Sequence, residues 1–223
     1  PTQWSDFDED GFGDNWGNST WTDRKSSWPG EMVMDAATQD ACPTRSGNSW
    51  QDDTLGCPDA DGDGWYDLMD AFSSDATQWE DADMDGYGDN ASGNQPDACP
   101  SVAGNSTIDR FGCMDSDGDG YSNADFTWGY DMGGDAFPDE ATQWADSDSD
   151  GFGENPNGLT PDDCPTIRDT SSIDRFGCAD TDGDGFSDPD GNWTLADGAD
   201  ACISGAGNST IDRIGCFDGD GDG

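Results

Sequence analysis

The hydrophobic residues of this chain show no apolar pattern of period 3.6 that persists for ten residues. Gly, Pro, Asn and Asp interrupt nearly every short apolar run, and these residues favour turns over helices and strands. The pattern therefore predicts a backbone that is mostly turn and loop, with short extended pairs beside the cysteines. No stretch approaches the roughly 20 apolar residues of a membrane span, so we expect no membrane insertion within this segment.

One segment of polar and aromatic residues recurs along the chain. PTQWSDFDEDGFGDN (1–15) returns as ATQWEDADMDGYGDN (76–90) and again as ATQWADSDSDGFGEN (141–155). The Trp of each copy, at Trp4, Trp79 and Trp144, is expected to pack against neighbouring structure rather than to bind a ligand.

A second segment alternates with the first. GNSTIDRFGCMDSDGDGYSN (104–123) recurs at 169–188 and 207–223, and a looser copy lies at 55–67. Self-similarity of this kind is typical of a repeat array, in which each unit contacts its neighbours. Both ends of the chain interrupt the pattern, so we expect a longer polypeptide. The predicted units are repeat unit 1 at 1–75, unit 2 at 76–140, unit 3 at 141–200 and a partial unit 4 at 201–223.

The charge of the chain is strongly unbalanced. It has 51 Asp and Glu against 7 Lys and Arg, no His, and a formal net charge of -44, which makes nucleic acid and anionic membrane surfaces poor partners. Only 31% of the residues are hydrophobic and 32 are Gly, a composition typical of disorder. However, 10 Trp, 10 Phe and 8 Cys are unusual in a disordered acidic tail, so we expect a chain that folds with help.

The cysteines form four regularly spaced pairs. Thirteen or fourteen residues lie inside each pair, and no C-x-x-C spacing indicates zinc or redox chemistry. Local disulfides are the economical interpretation, intermolecular pairing being the alternative, and they predict an extracellular, secreted or cell-surface protein. The predicted pairs are Cys42–Cys57, Cys99–Cys113, Cys164–Cys178 and Cys202–Cys216.

Five Asn-x-Ser/Thr sequons agree with this location as candidate glycosylation sites. The alternative is that Asn, Ser and Thr serve here as ordinary turn residues. The five asparagines are Asn18, Asn90, Asn105, Asn192 and Asn208.

Asp-rich loops are the main chemical feature of the chain. Seven loops carry Asp at positions 1, 3 and 5 and Gly at position 6, and the six complete loops have an aromatic residue at position 7. The aspartates are Asp6, Asp8, Asp10; Asp59, Asp61, Asp63; Asp81, Asp83, Asp85; Asp115, Asp117, Asp119; Asp146, Asp148, Asp150; Asp180, Asp182, Asp184; and Asp218, Asp220, Asp222. The aromatic residues, each offering a backbone carbonyl, are Phe12, Trp65, Tyr87, Tyr121, Phe152 and Phe186. The residues at position 9 are Asp14, Asp67, Asp89, Asn123, Glu154 and Asp188.

These loops require positive charge from outside. Two carboxylates about 4 Å apart repel by roughly 4 kcal/mol at an effective dielectric near 20. Alternating carboxylates, a turn glycine and a carbonyl make the oxygen cage that Ca²⁺ uses with six to eight ligands. Mg²⁺ demands tighter octahedral geometry, and Zn²⁺ would need His or free thiolates, so we predict at least six calcium ions.

The loops match an EF-hand through position 9 and then depart from it, because no helix-forming sequence flanks them and position 12 varies. With D-x-D-x-D-G loops, D-A-C-P elements and one cysteine pair per unit, the chain resembles the thrombospondin type 3 repeat family over nearly its full length. The resemblance implies a fold whose core is calcium, with ligands at positions 1, 3, 5, 9 and 12. Position 12 matches only at Asp70.

Other loops reach an equivalent aspartate later in the sequence. Asp135 and Asp200 each follow position 9 by twelve residues and begin the same D-A-[FC] signature as Asp70. Asp97 and Asp162 follow position 9 by eight residues, and Asp40 takes that place after a longer insertion. We therefore predict that these five residues and Asp70, here called the closing aspartates, complete the cages.

The predicted fold is a mostly irregular repeat array, an elongated solenoid-like rod that calcium and disulfides stabilise, with little helix or strand. Arg110, Arg175 and Arg213 are expected to pair with nearby aspartates. The predicted function is an extracellular calcium-binding structural repeat protein that forms a stiff rod, stalk or filament. Its predicted partners are calcium ions and either other copies of itself or cell-surface components. The alternative is a calcium-dependent adhesion or calcium-buffering module. An enzyme is disfavoured, because every carboxylate cluster falls at ligand spacing and no nucleophile constellation is present.

Overall fold

A computed structural model describes residues 6–14, 40–51 and 53–223. Within these ranges the only regular element is a 3-10 helix at Tyr130–Met132, with isolated parallel bridges at Gly88–Pro96, Asn123–Asp135 and Gly153–Pro161. The prediction of a mostly irregular fold is confirmed. The predicted extended pairs are reduced to these single bridges, each of which joins an Asp-rich loop to the region of a closing aspartate. Trp4 and Asn18 lie outside the described residues.

The chain forms two compact units, Pro1–Ala103 and Gly104–Gly223. This boundary lies inside predicted repeat unit 2, and the four-part division of the sequence stays a prediction.

The disulfides follow the predicted pairing. Cys42–Cys57, Cys164–Cys178 and Cys202–Cys216 have Cα–Cα distances of 4.9, 5.1 and 5.1 Å. Cys99 and Cys113 are also disulfide-bonded, and no described cysteine is free. The three bonds with these distances join cysteines that are 14 or 15 residues apart. In the loop-entropy account, closing a loop of this length destabilises the unfolded chain by roughly 3 kcal/mol per bond.

A buried serine supports the backbone at the second cysteine of three pairs. The hydroxyls of Ser49, Ser106 and Ser171 are inaccessible to solvent. Each hydroxyl accepts the backbone N–H of the second cysteine, at 3.0, 3.0 and 2.8 Å. Each also donates to the backbone carbonyl of the residue three positions before that cysteine. The segment between the two cysteines is therefore held by side-chain bonds rather than by a strand or helix.

The interior of the described chain is polar. Its buried hydrophobic residues are four half-cystines, Phe186 and Ala199, whereas eight aspartates are buried. An apolar core of this size cannot offset the conformational entropy of ordering such a chain. The disulfides and the hydrogen bonds of the polar interior must therefore carry a large part of the stability.

Aromatic stacking supplies further apolar contacts. The position-7 residues Trp65 and Tyr121 stack on Trp79 and Trp144, with ring centroids 6.4 and 5.0 Å apart and interplanar angles of 11° and 7°. The expected packing role of Trp79 and Trp144 is confirmed.

Two of the three repeated arginines make the expected ion pairs. Arg110 and Arg175 contact Asp125 and Asp190 at 2.8 and 2.9 Å, and each guanidinium also lies 5.4 Å from the ring centre of a Trp. Arg213 makes no ion pair with the described residues, and its guanidinium donates to the Sγ of Cys202 at 3.3 Å.

Candidate metal centres

The Asp at position 1 organises the turn of each loop. In the loop that starts at Asp59, one carboxylate oxygen accepts the N–H of Gly62 at 2.8 Å and the other accepts that of Gly64 at 3.0 Å. The same pair of bonds, to positions 4 and 6, recurs in the loops that start at Asp81, Asp115, Asp146, Asp180 and Asp218. The repeated Asp and Gly therefore produce one repeated backbone conformation.

This turn brings the carboxylates at positions 1, 3 and 5 together. One oxygen from each aspartate lies within 4.8 Å of the others, which is close enough for a shared cation. The triplets include Asp6, Asp8, Asp10; Asp59, Asp61, Asp63; Asp81, Asp83, Asp85; Asp115, Asp117, Asp119; and Asp146, Asp148, Asp150.

Position 4 divides the loops into two classes. The GDG loops, which start at Asp59, Asp115, Asp180 and Asp218, have Gly there with φ between +77° and +85°. The TQW loops, which follow a Thr-Gln-Trp segment and start at Asp6, Asp81 and Asp146, have a different residue in the same left-handed region. These residues are Glu9, Met84 and Ser149, with φ of +61°, +66° and +63°.

The residue at position 9 closes the loop on itself. Asp67, Asp89 and Glu154 each accept the N–H of position 2, at 2.7, 3.2 and 2.9 Å. Asn123 does the same at 3.1 Å, and Asp188 accepts the hydroxyl of the Thr at position 2. These bonds use one oxygen of each side chain, and the second oxygens of Asp89 and Asp188 are buried without a donor.

The aromatic residue at position 7 contributes backbone groups. Its N–H donates to the carboxylate of position 5 at 2.8–3.0 Å in all six complete loops. The carbonyls of Trp65, Tyr121 and Phe152 accept no hydrogen bond from the described residues, which leaves them available as the predicted ligands.

Each closing aspartate docks on its own loop through the backbone. Its N–H donates to the carbonyl of loop position 8, whatever the number of residues inserted between them. The distances are 2.9 Å for Asp40, 3.0 Å for Asp70, 2.8 Å for Asp97, 2.9 Å for Asp135, 2.7 Å for Asp162 and 2.9 Å for Asp200. The structure therefore places all six closing aspartates at the loops to which the sequence assigned them.

The side chains of all six closing aspartates are hydrogen-bonded to the backbone, and four of them are buried. One oxygen accepts the N–H two residues later, at 2.6–2.8 Å, in all six. The other oxygen of Asp40, Asp97, Asp135 and Asp200 is inaccessible and has no hydrogen-bond donor, and these four residues are 0–5% exposed. Such a buried, acceptor-only oxygen is costly unless a cation lies against it.

The pKa values of the closing aspartates report this environment. Burial, followed by the charges of Asp10 and Asp8, raises the pKa of Asp40 to about 7. Burial and the carboxylates of their own loops likewise raise the pKa of Asp97, Asp135 and Asp162 to about 6. In the absence of a cation, each closing carboxylate is therefore disfavoured as an anion.

The donor set fits a hard divalent cation. At position 3, both oxygens of Asp8, Asp83, Asp148 and Asp182 are buried without a donor. The described cysteines are all disulfide-bonded, so no thiolate is available, and the chain has no His. Carboxylate and carbonyl oxygens without nitrogen or sulfur suit Ca²⁺ or Mg²⁺ and exclude a structural zinc site of the usual kind.

Two buried glutamines were not predicted from the sequence. Gln78 and Gln143 are 1% exposed, and each Nε2 donates to two carbonyls across the loop while Oε1 accepts the N–H of position 10 at 2.9 Å. The only sequence signal for these residues is the repetition of the Thr-Gln-Trp segment at 77–79 and 142–144.

A second unpredicted feature is the Gly that precedes the second cysteine of a pair. A Cβ at Gly56, Gly177 or Gly215 would lie 2.1–2.4 Å from a carboxylate oxygen of a closing aspartate. Glycine is therefore required for the disulfide segment to approach the cage.

The sequons differ in their surroundings. Asn105, Asn192 and Asn208 are exposed. Asn90 instead donates its side-chain amide to the carbonyl of Thr77 at 2.8 Å and accepts the N–H of Ser92 at 3.2 Å. Glycosylation stays a prediction at all four described positions.

Comparison with known proteins yields no match, either to a family model or to a curated protein. The resemblance to thrombospondin type 3 repeats therefore stays a prediction that rests on the motifs themselves. Among the residues that the structure describes, no helix is long and apolar enough to cross a membrane.

Proposed function

We propose that this chain is an extracellular calcium-binding structural repeat protein whose cages take the place of a hydrophobic core. One observation carries the proposal: closing aspartates from outside the loops are buried against the Asp triplets with an oxygen that no donor satisfies. A fold that only needed acidic turns would leave such carboxylates in water. A bound cation turns their mutual repulsion into the interaction that holds distant segments together.

Calcium is the proposed ion because of the number of oxygens. A complete loop offers carboxylates at positions 1, 3 and 5, a side chain at position 9, a carbonyl at position 7 and a closing aspartate. Six or more oxygen donors suit the larger and more adaptable shell of Ca²⁺, whereas Mg²⁺ usually keeps several waters.

A mechanical role follows from the placement of the cages. The interior is polar, and five of the six complete cages take a closing aspartate that lies at least eight residues beyond position 9, so ion binding would order successive segments. The disulfides favour an oxidising, extracellular setting. We therefore propose a stiffening element of a surface or matrix protein, which in calcium forms a rod or stalk.

The test is the ion count and the dimensions of the chain. Elemental analysis after dialysis should find at least six calcium ions per chain, and small-angle scattering should show expansion after a chelator removes them. Asp61→Asn, which alters a position-3 carboxylate, should lower the count by about one, whereas Asp53→Asn, at an exposed aspartate outside the loops, should not. One or two ions per chain, or an unchanged compact form after verified ion removal, would contradict the proposal. Reversible release near ambient calcium without a change in dimensions would favour a buffer.

A further inference from the structure

We infer that the residue at loop position 4 sets the calcium affinity of each cage, so that GDG loops bind calcium before TQW loops. The inference rests on the proposed calcium function and assigns a role to Glu9, Met84 and Ser149, none of which is a candidate ligand. Position 4 lies between two of the carboxylates, and its side chain is not part of the cage.

The conformation of position 4 is the first step of the argument. In both classes φ at this position lies between +61° and +85°, the left-handed region. Gly enters this region without a steric penalty, whereas other L-residues pay one because Cβ approaches the neighbouring carbonyl. Of the three TQW residues, none is Asn or Asp, the types that tolerate this region best.

The penalty arises from the backbone and not from crowding. A Cβ built at Gly62, Gly118 or Gly183 would meet no atom within 4 Å. In the TQW loop that starts at Asp81, the Met84 side chain is 88% exposed. Exchanging Gly and Met between these loops therefore changes the conformational preference of position 4 and little else.

The conformational preference of position 4 changes the free energy of calcium binding. The position-4 N–H donates to the position-1 carboxylate, as Met84 does to Asp81 at 2.7 Å, which holds the turn in its left-handed form. Without a cation, repulsion among the carboxylates opens the loop, and position 4 can relax to φ below zero. Binding must then restore the left-handed turn, and the cost lowers the affinity of a TQW loop.

Hydrogen bonds between the GDG loops and the segment that lies between two paired cysteines also favour tighter calcium binding by these loops. In the GDG loops, the position-6 carbonyl accepts two backbone N–H groups from that segment, as Gly64 does from Trp50 and Gln51 at 2.9 Å each. The corresponding carbonyls of Gly86 and Gly151 accept none from the described residues. The GDG loops are therefore more preorganised before an ion arrives, and the position-1 residues Asp59, Asp115 and Asp180 are buried.

The chain offers a matched pair of loops for the test. Both loops lie in the unit Pro1–Ala103, and each has five aspartates at the predicted ligand positions. The GDG loop has Asp59, Asp61, Asp63, Asp67 and Asp70, and the TQW loop has Asp81, Asp83, Asp85, Asp89 and Asp97. The position-6 amides, Gly64 and Gly86, report on the two loops separately in an NMR titration of the whole chain with calcium.

In the wild-type chain, the Gly64 signal should reach its calcium-bound form at a lower calcium concentration than the Gly86 signal. Met84→Gly should raise the affinity at Gly86 by about 5- to 30-fold, which is the left-handed cost of an L-residue expressed as an equilibrium constant. Gly62→Met should lower the affinity at Gly64 by a similar factor. Gly62→Asn should lower it less, because Asn tolerates this conformation.

The outcomes separate this inference from the calcium function. If neither amide responds to calcium, the proposed function fails and this inference fails with it. If both respond but Met84→Gly leaves the midpoint at Gly86 unchanged, the inference alone is overturned. Because Met84→Gly relieves a backbone penalty, the result does not depend on the folding of a destabilised variant.

Discussion

Asp135→Asn tests whether a closing carboxylate destabilises the ion-free chain and stabilises the calcium-bound chain. The variant should raise the stability of the first and lower that of the second. The side chain is fully buried, one oxygen accepts the N–H of Phe137 at 2.8 Å, and the other has no donor. Asn has nearly the same shape and can keep the bond to Phe137. The substitution therefore removes a charge and a candidate ligand while it leaves the local hydrogen bond in place.

The magnitude follows from the neighbouring charges. Burial, and then the charges of Asp119, Asp117 and Asp115, raises the pKa of Asp135 to about 6, so the carboxylate is mostly ionised at pH 7.5. For scale, one like charge at about 8 Å from a carboxylate opposes its ionisation by about 2 kcal/mol at an effective dielectric near 20. The ion-free form should therefore gain about 2 kcal/mol from the variant. With calcium, loss of one partner of a buried charge pair should cost about 3 to 5 kcal/mol.

The assay compares the two conditions at pH 7.5. Urea unfolding in saturating calcium, followed by Trp fluorescence, should show a lower midpoint for Asp135→Asn, and the hydrodynamic radius in chelator should be equal to or smaller than that of the wild type. Asp131→Asn is the control, because this exposed carboxylate accepts no hydrogen bond from the described residues. Unchanged stability in calcium, or greater expansion in chelator, would refute the reasoning.

The remaining predictions concern pH and a buried glutamine. Burial raises the pKa of Asp40 to about 7 and that of Asp97 to about 6, so the ion-free fold binds protons more tightly than the unfolded chain does. Protonation of these two residues therefore stabilises the ion-free fold. This stabilisation is complete below about pH 4 and is lost as the pH rises to 7. Scattering in chelator should accordingly show the most compact ion-free chain at low pH, while calcium affinity should rise between pH 5 and 8, and a pH-independent affinity would contradict both. Gln78→Leu should lower stability in calcium by about 2 to 4 kcal/mol, because two carbonyls and an N–H lose their buried partner, whereas Gln95→Leu at an exposed position should have little effect in the same urea titration.

The sequence predicted which carboxylates the structure brings together, because the positions within each loop are local. Spacing within nine residues is enough to bring carboxylates together around a turn. The D-A-[CF] signature marks five of the six closing aspartates, whereas Asp162 is followed by Asp163 and Cys164. The irregular fold was also predictable, since nothing in the hydrophobic pattern supports a helix or strand.

The polar framework around the cages could not be predicted in the same way. Gln78 bonds the backbone of residues 12 and 16 positions away, and Gly56 is needed because of a carboxylate that is distant in sequence. Neither residue type signals such a partner by itself. Position 4 could not be predicted either: Met84 and Ser149 are residue types that disfavour a left-handed turn, yet both adopt it, and the N–H of each donates to the position-1 carboxylate.

The hydrogen bond from the N–H of a closing aspartate to the carbonyl of position 8 explains how the same kind of cage accommodates insertions of different length. Asp70 follows Asp67 by three residues, whereas Asp40 follows Asp14 by 26, and both donate their N–H to the carbonyl of position 8. Loop-closure entropy grows only logarithmically, so the longer connection costs about 2 kcal/mol more than the shorter one. Two connections, in which the closing aspartate follows position 9 by twelve residues, have an additional hydrogen bond: Trp128 and Trp193 donate to Asp109 and Asp174 at 3.1 Å, and each ring also lies against an arginine. The segments between position 9 and the closing aspartate can therefore differ in length while the hydrogen bond to position 8 is kept in all six loops that have a closing aspartate.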